Sequence, residues 1–346
     1  MRKTYILLIV ALVFLLTPGA GAQGNLQNDG VIVEQAPCPA KPAGTYEQYA
    51  EAAKSAYLKA IESAKQGGAR ILKMEAPADL RKLVLSREEF ERRTSYKNVE
   101  CQRIVYLSDG LKVVGYIWKP KGSAGKKLPL VIYNRGGFRE VGKLWPWARF
   151  GFYDFVSNGF VVIGSQYRGV DGGEGKDELG GSDVRDVLNL IPLAKSLGYV
   201  DMSNVFMSGE SRGAMMTYRA LGSGIPVNAA AVKSGGTDFF GNLKDRPEFG
   251  KVYQQLIPDY DKRPDEALRE RSALAWAEKI NVPLLILQGG ADELIGAGRT
   301  LAFAQRLQEL GKTYELIIYA GDDHNLSLNS ADSDKRIVEW FKKFMK

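Results

Sequence analysis

The chain of 346 residues contains one histidine and two cysteines. That scarcity excludes much at once. A usual zinc site draws on three or four His, Cys or carboxylate ligands, and His324, Cys38 and Cys101 are too few and too far apart to supply it. A disulfide-rich small scaffold is excluded by the same count. Past residue 22 no apolar run approaches membrane-spanning length. Lys and Arg number 47 against 40 Asp and Glu, a net +7, but the signs are interleaved and no long basic run occurs. A nucleic-acid or membrane-surface role is therefore not expected. Hydrophobic residues at 45% and charged residues at 25% are ordinary values for a chain that buries a sizeable core.

The first 22 residues read as a secretory signal. Arg2 and Lys3 give the positive start, Ile6 to Leu16 the short apolar stretch, and Ala20-Gly21-Ala22 the small-residue cleavage site. Removal of that segment would leave a net charge of +5. An exported chain, periplasmic or secreted and with no stable membrane association after cleavage, is expected. An oxidising compartment would permit a Cys38–Cys101 bridge, although two unpaired thiols fit the sequence equally well.

Residues 23–44, rich in Gly, Pro, Asn and Gln, read as a mobile leader. Tyr46, Tyr49, Ala50, Ala53, Tyr57, Ala60, Ile61 and Ala64 recur at helical spacing, predicting a helix from Thr45 to Lys65 that ends at Gly67-Gly68. A second helical stretch follows Pro77, with capping-box spacing at Ser86-Arg87-Glu88-Glu89. Residues 23–98 thus form a leader and a helical appendage, and residues 99–346 the main domain.

The main domain opens with two strands, Val99 to Leu107 and Lys112 to Trp118, joined by the turn signal Ser108-Asp109-Gly110. Short apolar runs then alternate with helical patterns. The runs are at 128–133, 160–164, 204–207, 229–232, 282–287 and 314–319; the helices are at 183–197, 212–221, 297–310 and 334–344. Continuous rather than alternating apolar strands mean a sheet covered on both faces. The expected fold class is α/β: a mostly parallel sheet of the α/β-hydrolase type, helices on both faces, with a short helical N-terminal appendage. Asp238 to Ala275 has no strand signal and is expected to lie over a site.

Gly209-Glu210-Ser211-Arg212-Gly213 carries the chemistry. It follows an apolar strand and opens a helix, the context that a G-x-S-x-G nucleophile elbow requires. A serine hydroxyl needs a base, and His324 is the only imidazole available. It lies after the last strand, and Asp292 lies after the strand before it, which keeps the chain order serine, acid, histidine. Ser211, Asp292 and His324 are the predicted catalytic residues. Glu293 is the nearest rival acid, and Asp322 and Asp323 read as a solvated acidic loop. For the oxyanion hole one donor is the Arg212 backbone N–H. The other is expected from the loop Tyr133-Asn134-Arg135-Gly136-Gly137-Phe138, with Arg135 and Gly136 as candidates. Glu210, Arg212, Glu174 and Arg168 are charged residues that could border a pocket. The glycines of Tyr167 to Gly175 lack dinucleotide-binding spacing, so no cofactor is expected, and no metal.

These residues resemble the catalytic domain of the prolyl oligopeptidase family of serine peptidases, from about residue 99 to the end. The most specific stretch runs from Arg271-Ser272-Ala273 through Ala277-Glu278-Lys279-Ile280 to Pro283-Leu284-Leu285-Ile286-Leu287-Gln288-Gly289 and Asp292. Tyr167-Arg168-Gly169 and Leu310-Gly311-Lys312 fit the same family. The likeness implies an α/β-hydrolase fold, a Ser211–Asp292–His324 triad and a peptide substrate. The family usually carries histidine or tyrosine where Arg135 stands; the Arg135 guanidinium could still donate to an oxyanion. Large members carry a β-propeller before this domain, and here the N-terminal part reads as short and helical. A carboxylesterase or deacetylase acting on small esters would use the same three residues, and a non-catalytic binding protein could keep the same fold.

Overall fold

The computed structural model describes residues 28–38, 44–52, 54–55, 84, 86–144 and 152–346. The predicted signal segment, residues 56–65 of the first predicted N-terminal helix and the start of the second lie outside the described residues. Residues 46–52 are helical. The second appendage helix, α1 (Arg87–Ser95), starts at the residue after Ser86, whose side chain accepts from the Glu89 N–H.

Nine strands form one sheet: β1 (Ile32–Pro37), β2 (Val99–Ser108), β3 (Leu111–Pro120), β4 (Leu128–Asn134), β5 (Val161–Ser165), β6 (Val200–Glu210), β7 (Ala229–Lys233), β8 (Leu284–Gly289) and β9 (Tyr314–Tyr319). Their spatial order is β1-β2-β3-β5-β4-β6-β7-β8-β9. The first three pairings, β1 to β2, β2 to β3 and β3 to β5, are antiparallel, and the rest are parallel. This is the expected α/β-hydrolase architecture. The β2–β3 hairpin closes over Asp109 and Gly110, both with positive φ, with Ser108 opposite Leu111. Two left-handed residues in a two-residue loop match the twist of the flanking strands.

One expectation is corrected. Residues 32–37, placed in a mobile leader, form an edge strand on β2. The Gly, Pro and polar composition around it hid the β-branched run Val31-Ile32-Val33, and β2 offered an unpaired edge. Cys38 and Cys101 are bridged, with Cα atoms 5.3 Å apart, which ties the end of β1 to β2. The open question about the two thiols is settled in favour of the bond.

Both faces of the sheet are covered, which explains the continuous apolar strands. Met207, Val232 and Ile286 pack into one core, and Phe206, Ala231 and Leu285 into the other. The first core is closed by helices that include α3 (Val184–Leu188), α4 (Leu190–Ser196) and α5 (Arg212–Gly222). The second is closed by α2 (Phe152–Ser157) and the C-terminal helix at 330–343. The stretch expected as one helix from 183 to 197 divides at Asn189 into α3 and α4. The insertion after β7 holds α6 (Phe239–Asp245), α7 (Phe249–Leu256) and α8 (Pro264–Arg271) and no strand. Among the described residues no helix is long and apolar enough to cross a membrane.

Candidate active site

β6 runs straight into Ser211, and α5 begins at the next residue. So sharp a reversal leaves Ser211 with φ 54°, ψ −121°, a backbone state costly for any residue bearing a Cβ. The surroundings hold it there. The Ser211 N–H donates to the Lys233 carbonyl at 2.8 Å, extending the β6–β7 ladder by one residue. The two motif glycines let the strand, the turn and the neighbouring β4 close up. A Cβ on Gly209 would lie 2.2 Å from the Gly213 carbonyl oxygen, and one on Gly213 would lie 1.9 Å from the Asn134 carbonyl oxygen.

The three predicted residues meet at this turn. Ser211 Oγ stands 2.9 Å from His324 Nε2, and His324 Nδ1 stands 2.8 Å from Asp292 Oδ2. An ionised carboxylate only accepts, so Nδ1 carries the proton and Nε2 turns its lone pair to the hydroxyl. Asp292 is held from three further sides. Its Oδ1 accepts the Leu294 and Ile295 N–H groups, each at 2.9 Å, and its Oδ2 accepts the Gln288 side-chain amide at 2.8 Å. Glu293, the rival acid, is exposed, and its carbonyl accepts from Arg246 of the insertion at 3.1 Å. That contact places the insertion against the acid loop.

The histidine loop is tied to the acid loop by backbone. Gly290 N–H donates to Tyr319 O at 2.8 Å and Ala291 N–H to Asp322 O at 2.9 Å. A Cβ on Gly289 would lie 2.2 Å from the Asp323 carbonyl oxygen, so only glycine lets the two loops close. Asp322 is not the solvated residue that its charge suggested. It is fully buried, and its carboxylate accepts from the Asp323, Leu328 and Asn329 backbones and from the Asn329 side chain. Asp323 does the same one residue on, for Asn325 N–H and both the N–H and hydroxyl of Ser327. Gln288 and Asp322 are site residues that sequence reasoning missed. A Gln at the end of a buried strand was the only available hint for the first.

The oxyanion candidates divide. Arg212 is the first residue of α5, so its N–H has no acceptor within the helix. Gly136 passes beside Ser211: a Cβ there would lie 3.4 Å from Ser211 Cβ. Arg135 is different. Its guanidinium is fully buried and gives its N–H groups to the carbonyls of Gln166, Gly136, Val141 and Arg139, at 2.8–3.1 Å. No guanidinium N–H is left for a substrate oxygen, so the expected Arg135 side-chain donor is withdrawn. The side chain instead anchors the loop after β4.

Arg168, Glu174 and the side chain of Arg212 are also structural. Arg168 pairs with buried Asp186 and with Asp109, and Glu174 accepts the Lys112 N–H. Burial drives the Asp186 carboxyl up to about 6 against the pull of Arg168. The Arg212 side chain pairs with Asp177 and Asp183. Among the described residues no three His, Cys, Asp or Glu side chains gather as metal ligands.

Known proteins share this arrangement of strands. A model of the prolyl oligopeptidase family matches residues 146–346, more than half of the chain. The chain belongs to the prolyl oligopeptidase family. Among curated relatives, the "Uncharacterized peptidase YtmA" of Bacillus subtilis is 26% identical over 251 residues, covering 72% of this chain and 95% of that protein. Acylamino-acid-releasing enzyme 1 of Oryza sativa is 26% identical over 263 residues, 69% of this chain and 33% of that one. The solved acylaminoacyl peptidase of Pyrococcus horikoshii superposes with a TM-score of 0.63 at 22% identity, covering 73% of this chain and 43% of that one. At that identity the superposition speaks for the fold alone. The chain thus spans nearly all of one relative and less than half of others. Its membership makes it a serine-peptidase-like hydrolase.

Proposed function

We propose that the chain is a serine peptidase that cleaves acyl bonds through an acyl-enzyme on Ser211, with His324 as base and Asp292 as its orienting acid. One observation carries the reading: the unbroken row Ser211 Oγ, His324 imidazole, Asp292 carboxylate, at 2.9 and 2.8 Å.

Ser211 Oγ attacks the substrate carbonyl carbon as its proton passes to His324 Nε2. The oxygen of the tetrahedral intermediate takes the negative charge beside the Arg212 N–H and the Gly136 backbone. The imidazolium that forms is stabilised by Asp292, whose carboxylate is held in place by donors from Gln288, Leu294 and Ile295. Collapse breaks the acyl bond, and Nε2 returns the proton to the leaving amine. Water then attacks the acyl-enzyme by the same route and regenerates the hydroxyl. An ester would follow the same steps with an alcohol leaving, so the triad by itself does not choose; family membership favours the peptide.

The test has two arms. A fluorophosphonate should label native protein at Ser211 and leave Ser211→Ala and His324→Ala unlabelled, with turnover of each variant lowered by about 10⁴ or more. An unlabelled native protein would point to a binding module. Aminoacyl-arylamides run beside short acyl esters then choose the substrate, and turnover of esters alone would make it a carboxylesterase or deacetylase. We further propose export from the cytoplasm, supported by the leader pattern of residues 1–22 and by the Cys38–Cys101 bridge. Mass spectrometry of the extracytoplasmic fraction should find a chain starting at Gln23.

A further inference from the structure

Arg212 contributes to the site twice. Its backbone N–H faces the developing oxyanion, as the proposed mechanism requires, while its side chain turns back to the opposite half of the oxyanion site. Nη1 donates to the Gly137 carbonyl at 3.1 Å and to Asp177 Oδ2 at 2.7 Å, and Nη2 donates to Asp183. Asp177 Oδ2 also accepts the Arg139 N–H at 2.7 Å. The loop that passes Ser211 at Gly136 is therefore gripped at Gly137 directly and at Arg139 through Asp177.

The grip has a counterpart on the other side. The Arg135 guanidinium holds the carbonyls of Gly136, Arg139 and Val141. Both guanidinium groups lie over the ring of Tyr167, 4.9 Å from its centre for Arg135 and 4.7 Å for Arg212. Tyr167 has positive φ, is fully buried, and donates its hydroxyl to the Arg135 carbonyl at 3.1 Å. The loop itself is a tight turn: a Cβ on Gly137 would lie 2.3 Å from the Val141 carbonyl oxygen, and one on Gly142 2.7 Å from that of Gly136.

A buried guanidinium with two buried carboxylates is a poor way to gain stability, because desolvation consumes most of the attraction. Burial works against the Arg212 charge, and Asp177 and Asp183 outweigh it and push its pKa above the ordinary value. Burial likewise raises the Asp177 carboxyl, but Arg212 and the donors from Arg139 and Leu179 hold it below the usual carboxylate range. The planar fork is what allows one side chain to reach Gly137, Asp177 and Asp183 together; a lysine ammonium has no such fixed geometry.

We propose that the Arg212 side chain, with Asp177, is the positioning pair of the oxyanion site: it sets the spacing between the donor at the start of α5 and the loop after β4. This rests on Ser211 being the nucleophile. The pair is also linked to the insertion, since the fully buried Arg271 of α8 donates to the carbonyls of Glu178 and Leu179 beside Asp177.

The experiment uses the whole protein and its Arg212→Lys and Asp177→Asn variants. It measures kcat and KM on one good substrate, the affinity of a trifluoromethyl ketone that forms an oxyanion on Ser211, and the thermal midpoint. Each variant should lose about 10-fold or more in kcat, short of the roughly 10²- to 10³-fold loss of an oxyanion donor itself. KM should stay within about threefold, and affinity for the ketone should fall in step with kcat. Should Arg212→Lys fail to fold, Asp177→Asn carries the test, because its amide oxygen can still accept from Arg139. Variants that melt earlier yet keep kcat and ketone affinity within twofold would make the pair merely structural and overturn the inference. A wild-type protein that neither binds the ketone nor is labelled at Ser211 would remove the proposed function itself, a separate outcome from the first.

Discussion

The side-chain amide of Gln288 donates to Asp292 Oδ2, the same oxygen that faces His324 Nδ1. Gln288 is itself fixed: Thr300 Oγ1 donates to its Oε1 at 3.0 Å, and its Nε2 reaches the Ile295 carbonyl at 3.0 Å. A buried amide thus sets the carboxylate that sets the imidazole.

Gln288→Leu removes that donor and leaves the carboxylate held by His324 and by the Leu294 and Ile295 N–H groups. We expect kcat to fall about 10- to 100-fold, the scale of a small misplacement of a catalytic group. KM should change little, because Gln288 lies behind the triad. Steady-state kinetics on one substrate decides the matter, and an unchanged kcat would mean that the Leu294 and Ile295 N–H groups suffice to hold Asp292.

Asp322 poses a similar question for the histidine loop. Its two oxygens accept four donors with no exposure to solvent. Asp322→Ala strands those donors, at about 1–3 kcal/mol for each left unpaired. We expect a stability loss of at least about 3 kcal/mol, and a thermal midpoint lowered by about 5 °C or more. Asp322→Asn keeps one acceptor oxygen and should fall between. Equal midpoints for the wild type and Asp322→Ala would show that the loop is held by its neighbours instead.

Much of this site was legible in the sequence, for a physical reason. An elbow needs small residues at two fixed positions, and a single imidazole left one candidate for the base. Strands covered on both faces carry unbroken apolar runs, so β4, β5, β7 and β8 and the apolar stretches within β6 and β9 announced themselves. What stayed hidden depends on partners distant in sequence. Ile32–Pro37 becomes a strand only because β2 has an edge to offer. Asp322 looks like a surface charge until the loop folds its own N–H groups around it. Arg135 after β4 and Arg212 at the start of α5 are charged residues whose burial follows from carbonyls and carboxylates that no local pattern reveals.

The elbow glycines permit a sharper test of the turn. A Cβ at Gly213 would sit 1.9 Å from the Asn134 carbonyl oxygen and 2.8 Å from that of Arg135, both main-chain atoms that cannot swing aside. Gly213→Ala should therefore cost about 3 kcal/mol or more, the upper end of overpacking penalties. Any folded fraction should label poorly with a fluorophosphonate, since the turn must move away from β4 and carry Ser211 with it. Differential scanning calorimetry and gel-based labelling check the two effects. A stable and fully labelled Gly213→Ala protein would contradict the close approach of α5 to β4.

The Cys38–Cys101 bridge closes a sequence separation of 63 residues, for which chain-entropy arguments give about 4 kcal/mol. The loss on reduction should be smaller and local. β1 is an edge strand that pairs only with β2, and most of its residues are exposed. Between β2 and β6, the strand that leads into Ser211, stand β3, β5 and β4. Reduction, or Cys38→Ser with Cys101→Ser, should free β1 before the sheet yields. Hydrogen exchange over Ile32–Pro37 should then accelerate by at least about tenfold, while exchange in β6 and turnover stay within twofold of the oxidised protein. A large loss of turnover on reduction, with β6 still protected, would mean that the N-terminal strand bears on the active site by a route other than the sheet.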